Sequence, residues 1–198
     1  MHPASRHAIR PMPSVQPIST ARLTLRPFGS GDEADLFAIQ SLPEVARYQM
    51  WEPMDRETVA GKLAEWMELD GTEGRDLQLA VVLGETRRVI GHLYLGFRDA
   101  EARQGEVGFT LHPGFQRRGY GLEAVEALVD LGFGHYRQHR IFGRCDARNP
   151  ASYRLMEKLG MRREAHFREH ALFKGGWDEE YCYAILEDEW RARGQGAS

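Results

Sequence analysis

The sequence predicts a mixed α/β (α+β) domain built on a single, mainly antiparallel central sheet flanked by helices, and three observations predict it. Leu77, Leu79, Val81 and Leu83 alternate through "LQLAVVLG", and the polar turn "GETRR" joins that run to "VIGHLYLGF", the pattern of an antiparallel pair. After Leu122, the residues Val125, Leu128, Val129 and Phe133 recur at helical spacing. Asn149 before Pro150 reads as a helix cap followed by a first-turn proline. Strands and helices mixed in this way do not form a regular βαβ repeat.

Taken in order, "ARLTLRPF" sets Leu23, Leu25 and Pro27 against Thr24 and Arg26, which suits a half-buried opening strand. Leu36, Phe37 and Ile39 mark a short helix, and Val59, Leu63 and Trp66 with Met67 mark another from Asp55 through Leu69. The antiparallel pair follows, then "GEVGFTLHP", a strand stopped by Pro113. Beyond the helix that begins near Leu122 comes the strand "RIFGRCDA". The Asn149 helix is next, with Leu155, Met156 and Leu159 on its inner face and Gly160 as its stop. "MRREAHFREHALF" and "WDEEYCYAIL" flank "KGG", whose glycines favour a hairpin turn.

A chain of 198 residues has the length of one ordinary domain, and 42% hydrophobic with 28% charged residues is average soluble usage. Residues 1–19 hold repeated prolines without apolar periodicity, so they are expected to be a flexible tail, with a single domain over 20–198. The tail lacks the continuous apolar segment of a secretory signal. A net charge of −3 gives no basic footprint for nucleic acid, and no apolar run reaches membrane-spanning length. Cys145 and Cys182 are too sparse for a disulfide framework and lack zinc-site spacing, so no metal and a cytoplasmic location are expected. Both cysteines fall on predicted strands near the end of the sheet, where free thiols without catalytic duty are expected.

The segment "QRRGYG", residues 116–121, places two arginines and two glycines where a strand gives way to a helix. A helix start offers unpaired N–H donors and the positive end of the dipole, and glycine lets an anion approach the backbone. A phosphate cradle is one reading and a solvated glycine loop the other. Neither G-x-x-x-x-G-K-[ST] nor G-x-G-x-x-G spacing is present.

The run "EVGFTLHPGFQRRGYGLEA", together with "CDARNPASYRLMEKLGMRRE", resembles the acyl-CoA-binding motif and the following strand and helix of the GNAT superfamily of N-acyltransferases. It is most similar to the RimJ/RimL-type branch of ribosomal-protein-alanine N-acetyltransferases. The resemblance covers the chain after the tail, most specifically from Glu106 to Met161. It implies that "EVGFTL" and "IFGRCDA" splay apart to admit the pantetheine arm of acetyl-CoA. Backbone groups of Phe109, Thr110 and Leu111 would bond that arm, and the segment Gln116, Arg117, Arg118, Gly119, Tyr120 and Gly121 would hold the pyrophosphate.

Asn149 would lie beside the pantetheine and Ser152 near the thioester sulfur, as plain cap and first-turn serine or as functional groups. Many members carry a tyrosine later on this helix as general acid; here that position is Met156, which leaves Ser152 as the candidate acid. Glu106, or His170 with its neighbour Glu169, is the candidate base, although the branch's carboxylate in that segment aligns with Ala171. Tyr48, Trp51 and Trp66 either line the acceptor pocket or pack in the core. The implied activity is direct acetyl transfer to a primary amine, with a peptide or protein N-terminal α-amine as the leading acceptor. A small-molecule amine (amino acid, polyamine or aminoglycoside) and a non-catalytic acyl-CoA-binding module are the alternatives. A homodimer is implied by resemblance alone.

Overall fold

The computed structural model describes residues 15–72 and 74–195. Eight strands form one sheet in the order β1-β2-β3-β4-β5-β6-β8-β7. They are β1 (Ile18–Ser19), β2 (Leu23–Pro27), β3 (Leu77–Leu83), β4 (Val89–Asp99), β5 (Gln104–Leu111), β6 (Arg140–Asp146), β7 (Arg162–Phe173) and β8 (Gly176–Leu186). Every neighbouring pair is antiparallel except β5 with β6. The helices are α1 (Glu33–Gln40), α2 (Pro43–Ala46), α3 (Arg56–Met67), α4 (Tyr120–Gly134), α5 (Pro150–Lys158) and α6 (Glu187–Gln195).

The sheet is buried on both faces at its centre. One face carries Leu23, Leu25, Leu77, Leu79, Leu93, Leu95, Val107 and Ile141 against Val125, Leu128 and Val129 of α4 and Met156 and Leu159 of α5. The other carries Ala80, Val82 and Val89 against Leu36, Ile39, Val59, Leu63 and Trp66 of α1 and α3. The alternation of Leu77 to Leu83 therefore marks one buried face, but the residues between them are buried too, because α3 covers the second face. Trp66, a candidate for the acceptor pocket, lies in this second core, 5.3 Å from the Phe28 ring and 4.5 Å from that of His92.

Local signals act where the sequence placed them. The Asn149 side chain accepts from the Ser152 N–H at 3.3 Å, with Pro150 in the first turn. Gly160, at φ +78°, ends α5, with Gly160 N–H bonded to Glu157 O and Met161 N–H to Met156 O, the double bond of a Schellman stop. In the β7–β8 turn Lys174 and Gly175 both have positive φ, as a two-residue turn matching the strand twist requires.

The expected tail boundary shifts. Val15 is buried in the main core and Ile18–Ser19 pair with β2, so residues 15–19 belong to the domain, because they cover the edge of β2. The remainder of that tail lies outside the described residues. α6 was not foreseen: its polar sequence carries no apolar stripe, and it is held by Trp190 Nε1–H donating to Asp130 at 2.7 Å.

Candidate active site

β5 and β6 are joined only at Gln104–Arg140, Gly105–Ile141 and Glu106–Phe142. Beyond these pairs β5 continues to Leu111 on the edge of β4, and β6 continues to Asp146 on the edge of β8. The two inner edges therefore part and leave a wedge that opens toward the strand ends. His112 N–H donates to Ile90 O, which fixes the phase of the β4–β5 ladder. Alternation along an antiparallel pair then turns the backbone groups of Val107, Phe109 and Leu111 away from β4 and into the wedge. Thr110 lies between them and bonds toward β4. Leu111 O already accepts from Gln116 Nε2 at 2.9 Å, so Gln116 closes the turn rather than facing a ligand.

Two helix N-termini flank the mouth of the wedge. At α4, Arg117 and Gly119 adopt left-handed φ of 58° and 84°, and the first helical bond runs from Glu123 N–H to Gly119 O. No acceptor among the described residues takes the N–H groups from Arg117 to Leu122. Such a run of free donors at the positive end of a helix makes an anion cradle. A Cβ on Gly121 would meet Leu155 Cδ1 at 3.0 Å, so glycine there lets α4 and α5 close beneath the wedge. The donors and glycines fit the pyrophosphate and pantetheine of CoA.

On β6, ahead of α5, Cys145 carries a half-buried thiol. Burial pushes that thiol up to about 12, so it stays protonated. Met156 is 1% exposed and its sulfur packs against Gly143 of β6, which confirms a core role at that position. Cys145 and Cys182 are both free. They lie on paired strands, but Cys145 is paired with Tyr181 and Cys182 with Arg144, so successive positions turn the two thiols to opposite faces.

The other face of β5, β6 and β8 is polar. Glu106, expected as an exposed strand carboxylate or a base, is neither exposed nor free: it is 15% exposed and bound through Oε2 to Arg98 at 2.6 Å and through Oε1 to Arg144 at 3.1 Å. His170 Nδ1 meets Asp178 Oδ1 at 3.1 Å, and the same oxygen accepts from Ala171 N–H. Glu169 has a φ of 50° in the irregular stretch of β7. The tip of the β7–β8 hairpin reaches across this face, where Lys174 Nζ donates to Ala46 O at 2.9 Å and Trp51 O at 3.0 Å. Trp51 thus meets the hairpin through its backbone, while the half-buried Tyr48 lies under the Arg47 guanidinium.

Sequence reasoning missed Glu180 of β8. Its carboxyl is pushed up by burial, against the opposing pull of Arg144. "DEE" in the sequence reads as a solvated charge run, and only the β6–β8 register brings Glu180 opposite Asp146. It also missed Arg22 of the β1–β2 turn, whose guanidinium donates to Arg118 O at 2.9 Å and meets Glu123 Oε2 at 2.7 Å.

Residues 22–162 match the family model for the acetyltransferase (GNAT) domain. The uncharacterized N-acetyltransferase YnaD of Bacillus subtilis (strain 168) is 33% identical over 173 residues, covering 87% of this chain and 98% of that protein. The crystal structure of a GNAT-family acetyltransferase from Bacillus anthracis superposes with a TM-score of 0.80 at 30% identity, over 88% of this chain and 100% of that one. Two further structures, each 20% identical, share the fold alone. One is a spermidine N-acetyltransferase from Vibrio cholerae in complex with CoA and spermine, with a TM-score of 0.75 over 87% of this chain and 99% of that one. The other is a ribosomal-protein-S5-alanine acetyltransferase from Vibrio fischeri, with a TM-score of 0.73 over 89% and 99%.

Proposed function

The chain belongs to the GNAT family of acetyltransferases and is an N-acetyltransferase, and on that premise we propose that it moves the acetyl group of acetyl-CoA directly to a peptide or protein N-terminal α-amine. The observation that carries this reading is the wedge between β5 and β6, with free N–H donors at the start of α4 on one side and Ser152 on the other. Acetyl-CoA supplies a thioester whose carbonyl carbon accepts the amine and whose sulfur leaves.

The Arg117 to Gly121 backbone holds the pyrophosphate. The Phe109 N–H, turned into the wedge, stabilises charge developing on the thioester oxygen. Asn149 caps α5 and thereby fixes Ser152, whose hydroxyl donates toward the departing sulfur. His170, set by Asp178, and Glu106, set by Arg98 and Arg144, frame the amine from the opposite face.

The acceptor class rests on charge. Carboxylates on the polar face carry cationic partners: Glu106 with Arg98 and Arg144, Asp146 with Arg148, Glu52 with Lys174. A polycationic acceptor would have to displace these cations, whereas a peptide brings one amine and a polar backbone. This supports the RimJ/RimL-type assignment and makes a polyamine the less favoured acceptor. We place the protein in the cytoplasm on its two free thiols, and as a homodimer, which sizing in solution tests.

Acetyl-CoA turnover with a panel of N-terminal peptides, amino acids, polyamines and aminoglycosides tests the reading. Peptides should be turned over fastest. Preferred turnover of a polyamine would overturn the acceptor class, and CoA binding without turnover of any amine would leave a non-catalytic module.

A further inference from the structure

Among the carboxylates that line the polar face, most have their oxygens engaged. Glu106 spends one oxygen on each of two guanidiniums. Asp146 is held by Arg148 through both oxygens, and Asp178 Oδ1 accepts from Ala171 N–H while meeting His170. Glu180 differs. Its side chain is 20% exposed, and its Oε1 is buried without a hydrogen bond, 3.5 Å from Arg144 Nη1, within ion-pair reach but outside hydrogen-bond geometry.

The ionisable groups around it are Arg144 from β6 and His170 from β7, the strands on either side, Asp178 from its own strand, and Glu106 from β5 beyond β6. Arg144 bridges Glu106 to Glu180, so the carboxylate shares a face of the sheet with Glu106 and lies on the strand next to β6, which borders the wedge. A buried oxygen with no donor is an expensive arrangement unless it has a proton to receive.

We propose that Glu180 is the base that takes the proton of the attacking amine, a role that rests on the acetyltransferase reading above. The amine nitrogen bonds to the acetyl carbon and passes one proton to the Glu180 carboxylate. The carbon–sulfur bond breaks with its electron pair on sulfur, the sulfur takes one proton from the Ser152 hydroxyl, which recovers one from water, and the Glu180 acid returns its own to water. Burial and the nearby Asp178 and Glu106 charges raise the proton affinity of Glu180, which suits it to this exchange.

The test uses the full chain, acetyl-CoA and the panel amine that the wild type turns over fastest, in single turnovers across pH. Glu180→Gln should lower the rate by ~10²-fold with acetyl-CoA affinity unchanged. The amine's own ionisation cancels in the wild-type to variant ratio. That ratio should fall toward one as pH drops through the Glu180 pKa, because a protonated carboxyl and an amide are then alike. Formate should restore transfer to Glu180→Ala.

A ratio independent of pH, or no response to formate, overturns the proposal. So does the same pH behaviour appearing in His170→Asn and not in Glu180→Gln. If Glu180→Gln no longer binds acetyl-CoA, Glu180→Asp decides, since its shorter reach should slow transfer without changing affinity; an unchanged rate would sink the idea. A wild type inert toward every amine would instead overturn the acetyltransferase reading beneath it.

Discussion

Arg22 and Glu123, on the β1–β2 turn and the first turn of α4, lock together at 2.7 Å across the anion cradle. The same guanidinium holds Arg118 O and stacks 4.5 Å from the centre of the Tyr120 ring, while the Thr20 hydroxyl donates to Glu123 at 2.6 Å. An acidic side chain beside the proposed pyrophosphate site would repel its ligand if left uncompensated; here Arg22 cancels the charge and uses it as an anchor. Although burial works against it, Thr20 and Arg22 together hold the Glu123 carboxyl below the usual carboxylate range.

Arg22→Ala should therefore weaken acetyl-CoA binding about tenfold, through lost positive charge and a loosened Arg118 carbonyl. The pair is partly exposed, so its effect on folding should stay under ~1 kcal/mol. Calorimetric titration beside thermal unfolding checks both; unchanged affinity would show that the brace serves the fold alone.

Acetyl-CoA should stabilise the native chain, since only the folded wedge offers its donors, by ~2.7 kcal/mol at a concentration of 100 Kd. Gly121→Asp should remove that thermal shift. It should also lower the unliganded melting temperature, because its Cβ would meet Leu155 Cδ1 at 3.0 Å. Gly121→Ala separates the two effects: it brings the crowding without the charge and should keep part of the shift. If Gly121→Asp were stabilised as much as the wild type, the pyrophosphate would lie elsewhere.

Much of this architecture was legible because local and global signals agree. Apolar alternation, the Asn149 cap and the Gly160 stop each act within a few residues, and each forms the element it predicts. The glycine turn into α4 was legible for the same reason, being built from contiguous backbone. β1, α2 and α6 were not: β1 pairs over two residues, α2 is a single turn, and α6 is held by Trp190 packing and by scattered polar contacts, among them Trp190–Asp130 and Arg162–Glu189, rather than by an apolar stripe. Glu106 and Glu180 were misjudged or missed because their character comes from cross-strand neighbours distant in sequence. Arg144 reaches Glu106 and Glu180 only once β6 lies between β5 and β8.

His92 makes stability depend on pH. Its ring lies between Gln40 at 3.1 Å and Gln78 at 3.0 Å in the core beneath α1 and α3. Burial, with a smaller push from Lys62, lowers its pKa to about 3. The unfolded chain takes up a proton near the ordinary value of ~6.5 while the folded chain does not. Stability is therefore fully present above that pH and falls as pH drops toward 3, by about 1.4 kcal/mol per unit from this one group. Urea unfolding at pH 7 and pH 5 should show the loss, and His92→Gln, which keeps polar partners for both glutamines, should flatten that part of the slope. An identical slope in the variant would place the acid sensitivity in other groups.

Ser152 and Asn149 occupy the same turn of α5 and should fail differently. Cys145 is kept protonated by burial, so no thiolate there competes for the Ser152 hydrogen. The serine's own hydrogen is then free to point toward the wedge, where the leaving sulfur gathers negative charge. That interaction strengthens in the transition state and adds little to binding beforehand. Ser152→Ala should consequently lower kcat by ~10²–10⁴, toward the low end because a thiolate leaves readily, with acetyl-CoA affinity nearly unchanged. Asn149→Ala removes the acceptor of the Ser152 N–H and should cost about 1 kcal/mol of stability as a lost cap. It should also weaken acetyl-CoA binding, since Asn149 stands at the mouth of the wedge. Calorimetric affinity beside single-turnover transfer distinguishes the two variants. Wild-type transfer by Ser152→Ala would reduce Ser152 to a first-turn helix residue and leave the sulfur to take its proton from water.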